Sequence, residues 1–121
     1  MESHNYPQRY DDVQQGIVRL REAAPGPMRA FSQLHREALA DGALPRSTKE
    51  LIALGIAIAA RCDGCIAFHV HDALSAGARP VEVTEAIGVA VLMGGGPSAV
   101  YGAEAFAALE QFEALPAAVT G

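Results

Sequence analysis

The stretch LIALGIAIAA, residues 51 to 60, runs ten residues without a charge. It constrains the fold more than any other part of the chain. The preceding RSTKE sets Ser47 and Glu50 three apart, the spacing of a capping box directly ahead of an apolar run. A helix over about 47–60 that is apolar on every side has no face to offer water, so the pattern predicts a central, buried helix. The run is too short to cross a bilayer, which takes about 20 apolar residues.

Helical periodicity extends over nearly the whole chain. From Asp11 to Ala24, Val13, Ile17, Leu20 and Ala24 recur at steps of four, three and four. PGP at 25–27 ends that helix and opens another, whose predicted apolar face is Met28, Phe31, Leu34, Ala38 and Leu39, with Gly42 as its stop. After the central helix the pattern breaks near Arg61–Gly64. It resumes over about 63–76, with Gly77 as the C-cap. Pro80 suits the first turn of the next helix, which continues to Met93, and GGGP at 94–97 interrupts again. A last helix over about 98–114 carries Tyr101, Ala105, Phe106, Leu109 and Phe112 as its apolar face. No segment shows strand alternation, and there is no internal repeat. The expected fold is all-α, one compact domain over residues 1–121 with about six helices around a central antiparallel pair. Its core is expected over about 40–110, with residues 1–10 and 116–121 as flexible tails.

Half of the 121 residues are hydrophobic and only 6% aromatic, so alanine and the aliphatics dominate and favour helices. A chain this short exposes much of its surface as a monomer. Several helices read as apolar over more than one face, which predicts a homo-oligomer. The net charge of −5, with no run of Lys or Arg, argues against nucleic acid as a partner. The polar, acidic start MESHNYPQRYDD lacks the apolar centre of a signal peptide, and no membrane partner is expected. The expected location is cytoplasmic, where thiols stay reduced. A close cysteine pair there points to redox chemistry or metal rather than to a staple.

The chain's two cysteines both fall in RCDGCIAFHVHD, residues 61–72. On a helix, Cys62, Cys65, His69 and Asp72 are spaced three, four and three and share one stripe. The sulfurs are near enough to join if the first turn permits it. They stand at a helix N-terminus, where free N–H groups favour thiolate. His69 is one turn from Cys65, within reach as proton acceptor or imidazolium partner. These are the needs of a reactive dithiol. Two further readings stay open: a pair of small buried residues, and a zinc site using both thiolates and an imidazole, with His35 or His71 as fourth ligand. Haem attachment requires His directly after the second cysteine, where Ile66 stands.

The neighbours need weighing as well. From spacing alone, Glu50 is expected to close the capping box with Ser47. If the two central helices pack antiparallel, Glu50 lies ~18 Å and His69 ~10 Å from the break, and the ~8 Å axial gap needs the Glu side chain plus a water. Asp72 is read as a solvated carboxylate or a partner orienting His69, His71 as a surface or interface residue, His35 as structural or partly exposed, His4 as part of the N-terminal tail and Tyr101 as core or interface.

The string KELIALGIAIAARCDGCIAFHVHDALSAGA, with Glu50, eleven residues, Cys62-x-x-Cys65, three residues and His69, resembles the alkylhydroperoxidase AhpD core of the carboxymuconolactone decarboxylase-like superfamily. The following SAGARPVEVTEAIGVAVLMGGGPSAVYG is similar to that family's downstream helices, so the likeness spans roughly residues 40–110. The resemblance implies an all-helical trimer or hexamer whose thiol members reduce hydroperoxides. It implies that Cys65 attacks the peroxide, that Cys62 condenses with the resulting sulfenic acid, and that a dithiol or lipoyl-protein reductant regenerates the pair. His69 and Glu50 match the family's proton relay. No cofactor and no metal is implied. Some members carry His immediately before the second cysteine; here that residue is Gly64, so any relay through it is absent. The superfamily's lactone decarboxylase does not rely on a dithiol. A lyase or other small-molecule enzyme on this scaffold, or a metal-binding or structural oligomer, is the alternative.

Overall fold

The computed structural model describes residues 4–116. Six helices follow one another: α1 (Tyr6–Ala23), α2 (Pro25–Leu39), α3 (Arg46–Ala59), α4 (Asp63–Ser75), α5 (Pro80–Gly94) and α6 (Gly96–Glu113). Among the described residues there is no strand, and no helix is long and apolar enough to cross a membrane. The all-α expectation holds, and the helix breaks fall at PGP, Gly42, Arg61, Gly77 and GGGP as read.

The α3–α4 pair forms the centre. Leu54 and Ile58 of α3 meet Ile66 and Val70 of α4, closed over by Val83 and Ile87 of α5 and by Leu109 and Phe112 of α6. Each such side chain contributes roughly 1.5–3 kcal/mol by leaving water. Between α5 and α6 the backbones approach closely. A Cβ on Gly102 would stand 3.1 Å from both Ile87 Cγ2 and Val91 Cγ2.

The turn between α3 and α4 is closed by two hydrogen bonds, Arg61 N–H to Ile58 O and Cys62 N–H to Ala57 O, the Schellman pattern. The same pattern ends α4, where Gly77 N–H meets Leu74 O and Ala78 N–H meets Ala73 O. There the left-handed residue is Gly77, at φ 100°, whereas after α3 it is Arg61, at φ 58°. Arg61 therefore carries a steric cost that glycine avoids.

Four expectations give way to the tertiary structure. The supposed N-terminal tail is helix from Tyr6 onward. Asn5 accepts from Gln8 N–H at 3.1 Å, and Pro7 sits in the first turn. Tyr6 is buried and ties α1 to α6, its N–H donating to Gln111 Oε1 at 2.7 Å and its hydroxyl to Glu104 Oε2 at 2.6 Å. The expected C-terminal tail lies, from residue 117, outside the described residues.

Second, no capping box forms at Ser47. Pro45 is the N-cap of α3, the Arg46 N–H donates to Asp41 Oδ1 at 2.6 Å, and Glu50 turns inward. Third, the face read for α2 is not core: Phe31 is 56% and Leu34 62% exposed, and α2 buries no residue. Fourth, Phe106 of the face read for α6 is exposed, while Ala105, Leu109 and Phe112 are buried. In the last two cases periodicity identified an apolar stripe, but among the described residues no helix covers Phe31, Leu34 or Phe106.

Candidate functional site

Cys62 ends the α3–α4 turn in extended backbone (φ −111°, ψ 98°) and is the N-cap of α4. Its sulfur accepts from the Cys65 N–H at 3.2 Å, one of the free donors of the first turn. One turn separates the cysteines, and they are joined in a disulfide with Cα atoms 5.2 Å apart. Cys65 is the more exposed partner. The polarity of the helix end thus favours negative charge on Cys62, while access favours Cys65.

One turn beyond Cys65, His69 Nδ1 meets Glu50 Oε1 at 2.7 Å. The contact is direct, and no water is needed across the gap expected from the helix spacing. Glu50 is completely buried. With the carboxylate accepting, the proton sits on Nδ1 and Nε2 remains available for chemistry. The second carboxylate oxygen, Oε2, is buried without a hydrogen-bond partner. Arg46 Nε, 3.7 Å away on a half-exposed side chain, is too distant to satisfy it. A buried carboxylate left half-satisfied costs stability, offset in part by the bond its other oxygen makes to the imidazole.

Cys62, Cys65 and His69 open into one cleft of about 370 Å³, walled by Val13 and Ile17 of α1, Phe31 and His35 of α2 and Phe68 of α4. Arg9 and Asp63 stand at its edge, paired at 3.2 Å. Val13, Ile17 and Phe31 read in the sequence only as helix faces, with nothing to mark them as walls of the dithiol cleft, because α1 and α2 reach it only through the tertiary fold. His35, read as structural or partly exposed, is partly exposed and belongs to the cleft. Gly64 is buried beneath α1, and a Cβ there would lie 3.4 Å from Val13 Cγ2.

The other singled-out residues lie elsewhere. Asp72 neither reaches His69 nor stands in open solvent; its Oδ1 is 2.9 Å from His71 Nδ1. His71 is only partly exposed and stacks on Tyr10 with ring centroids 4.0 Å apart. Burial raises the Tyr10 phenol to about 12, with the Asp72 and Asp11 carboxylates adding to the effect. Tyr101 packs at the edge of the core and faces a separate polar cleft with Tyr6, Arg61, Asp63 and Glu104. Burial, with the neighbouring Glu104, raises the Tyr6 phenol well above its ordinary value. Among the described residues no three His, Cys, Asp or Glu side chains gather as metal ligands. His35 and His71 do not complete the zinc set weighed from the sequence.

Fold and site together define a helical disulfide protein with a buried carboxylate–imidazole pair beside its sulfurs. The chain belongs to the carboxymuconolactone decarboxylase family, whose model matches residues 25–110. It is 42% identical to a solved apo-form protein of this family from Legionella pneumophila, with a TM-score of 0.85 over 88% of this chain and 96% of that one. A Thermotoga maritima family member, described in connection with antioxidative response, shares 27% identity at a TM-score of 0.69, over 81% of this chain and 90% of that one. An uncharacterized Cupriavidus necator protein is 37% identical over 109 residues, 90% of this chain and 94% of its own length.

Proposed function

We propose that the protein is a thiol-dependent peroxidase and disulfide reductase acting on hydroperoxides. One observation carries the reading: the Cys62–Cys65 disulfide and the Glu50-held imidazole of His69 line the same apolar-walled cleft. In the reduced protein, the Cys65 thiolate attacks the terminal peroxide oxygen. The O–O bond breaks, the alkoxide takes a proton from the His69 imidazolium, and Cys65 becomes a sulfenic acid. Cys62, one turn away, attacks that sulfur. Water leaves and the disulfide forms. Glu50 keeps the His69 ring oriented and stabilises its charged form. A dithiol or lipoyl-protein donor then returns two electrons. The description of the Thermotoga relative as "possibly involved in antioxidative response" agrees with this chemistry.

Purified protein is expected to consume tert-butyl hydroperoxide in the presence of dithiothreitol, and Cys65→Ser to abolish that. Wild-type turnover no faster than that of the variant rules the reading out. A lyase on the same scaffold would instead keep its activity in the Cys62→Ala/Cys65→Ala protein.

The working form is a homo-oligomer, trimer or hexamer, in the cytoplasm. Supporting this are the apolar faces of α2 (Phe31, Leu34), α3 (Ile52, Ile56) and α5 (Val89, Leu92, Met93), all at least 50% exposed. The α3 and α5 faces share an apolar cleft of about 460 Å³. Light scattering at micromolar concentration is expected to give a multiple of the 12.6 kDa chain mass; a monomer contradicts this.

A further inference from the structure

Asp63 is the first residue of α4, directly after the N-cap Cys62. A carboxylate there suits the helix dipole, but it opposes a second negative charge on the neighbouring sulfur. Opening the disulfide creates that charge. Arg9, from a helix more than fifty residues earlier, sets its Nη2 3.2 Å from Asp63 Oδ1 and lines the cleft that holds both sulfurs. Its guanidinium lies over Gly64, where a Cβ would be in ordinary contact with it, 3.7 Å from Nη2 and 4.0 Å from Nε. The ion pair is partly exposed, with side chains 45% and 38% accessible, so it adds little to stability.

We infer that Arg9 is a positioning residue of the dithiol site, offsetting Asp63 so that Cys62 can hold the electron pair released when the disulfide opens. The inference rests on the redox reading above. A dithiol donor's thiolate attacks the more accessible Cys65 sulfur. A donor–Cys65 bond forms, the Cys62–Cys65 bond breaks, and its electron pair stays on Cys62, facing the Cys65 N–H. The donor's second thiolate then attacks the donor sulfur of the mixed disulfide. The donor leaves as its own disulfide, two electrons poorer, and Cys65 takes up a proton as the thiol. The charged or titratable groups around the sulfurs are Arg9 of α1, His35 of α2, and Asp63 and His69 of α4. Glu50 of α3 acts through His69, and Arg61 lines the polar cleft on the other side of Asp63.

The test uses Cys65→Ser protein, in which Cys62 is the only thiol, and follows thiolate absorbance at 240 nm across pH. Arg9→Gln is expected to move the midpoint up by about one pH unit, and Asp63→Asn to move it down. The double variant is expected near the parent, and Arg9→Lys close to it. In the intact dithiol protein below that midpoint, Arg9→Gln is expected to slow reduction by dithiothreitol roughly tenfold, with Asp63→Asn restoring the rate. If Arg9 only anchors α1, Arg9→Gln lowers the melting temperature and leaves the midpoint in place, and the inference fails. Should Arg9→Gln not fold, Arg9→Met, which keeps the packing stem and removes the charge, decides: a raised midpoint supports the role and an unchanged one overturns it. The midpoint is read without peroxide. Absent hydroperoxide turnover with an Arg9-dependent midpoint removes the proposed function and leaves this inference in place.

Discussion

Replacing Glu50 by Gln keeps the shape of a fully buried side chain and removes its charge. In the native site Oε1 lies 2.7 Å from His69 Nδ1. Two unit charges about 4 Å apart interact by about 4 kcal/mol at an effective dielectric of 20. The His69 side chain is 20% exposed, so part of that is screened, and we take about half, ~2 kcal/mol, as the stabilisation of the imidazolium during turnover. At 1.4 kcal/mol per factor of ten, turnover should fall roughly 30-fold. Gln also offers His69 either a donor or an acceptor, so the ring loses its fixed tautomer, which acts in the same direction. The assay is stopped-flow consumption of tert-butyl hydroperoxide with dithiothreitol in excess, alongside a count of reducible disulfides to confirm an intact pair. Turnover within threefold of wild type, while Cys65→Ser is inactive, would refute the reasoning and reduce Glu50 to a packing residue.

Glu50→Met removes the unsatisfied buried oxygen and is expected to raise the thermal midpoint by several degrees while turnover falls; a lower midpoint in calorimetry contradicts the account. Arg61→Gly relieves the left-handed residue at φ 58°, a gain of roughly 0.5–1 kcal/mol once glycine's entropy is subtracted, measurable by urea unfolding. Gly102→Ala places a methyl 3.1 Å from Ile87 and Val91 and is expected to cost about 1–3 kcal/mol in the same measurement. Tyr6 and Tyr10 both have phenols raised above the ordinary value of 10, Tyr10 to about 12. A raised folded pKa gives stability that is complete below pH 10 and is lost as pH climbs through the folded values. Unfolding curves from pH 9 to 12 should show that decline, and Tyr6→Phe/Tyr10→Phe should flatten it.

What the sequence determined by itself was local. Apolar spacing, with Pro and Gly at the breaks, set six helices in their order, because each helix depends on residues three and four apart in its own chain. The one-turn interval of Cys62 and Cys65 put a disulfide within reach for the same reason, and the all-helical class followed; that the two sulfurs join, rather than hold zinc or lie apart as buried residues, came from the structure. The partners were decided by the tertiary structure alone. Ser47 and Glu50 carry a sound capping signal, but the α3–α4 turn brings His69 to Glu50, and a buried carboxylate beside an imidazole wins over an exposed cap. Asp72 takes His71 rather than His69 because Tyr10 and Phe112, from helices far off in sequence, enclose His71. Phe31 and Leu34 have the spacing of a core face and stay more than half exposed because among the described residues no helix packs over them, Phe31 only walling the open cleft. Arg9 and His35 carry no local pattern that marks them for the dithiol; only the crossing of α1 and α2 over α4 does. Periodicity reports which side of a helix avoids water, and only the packing of helices distant in sequence decides what that side meets.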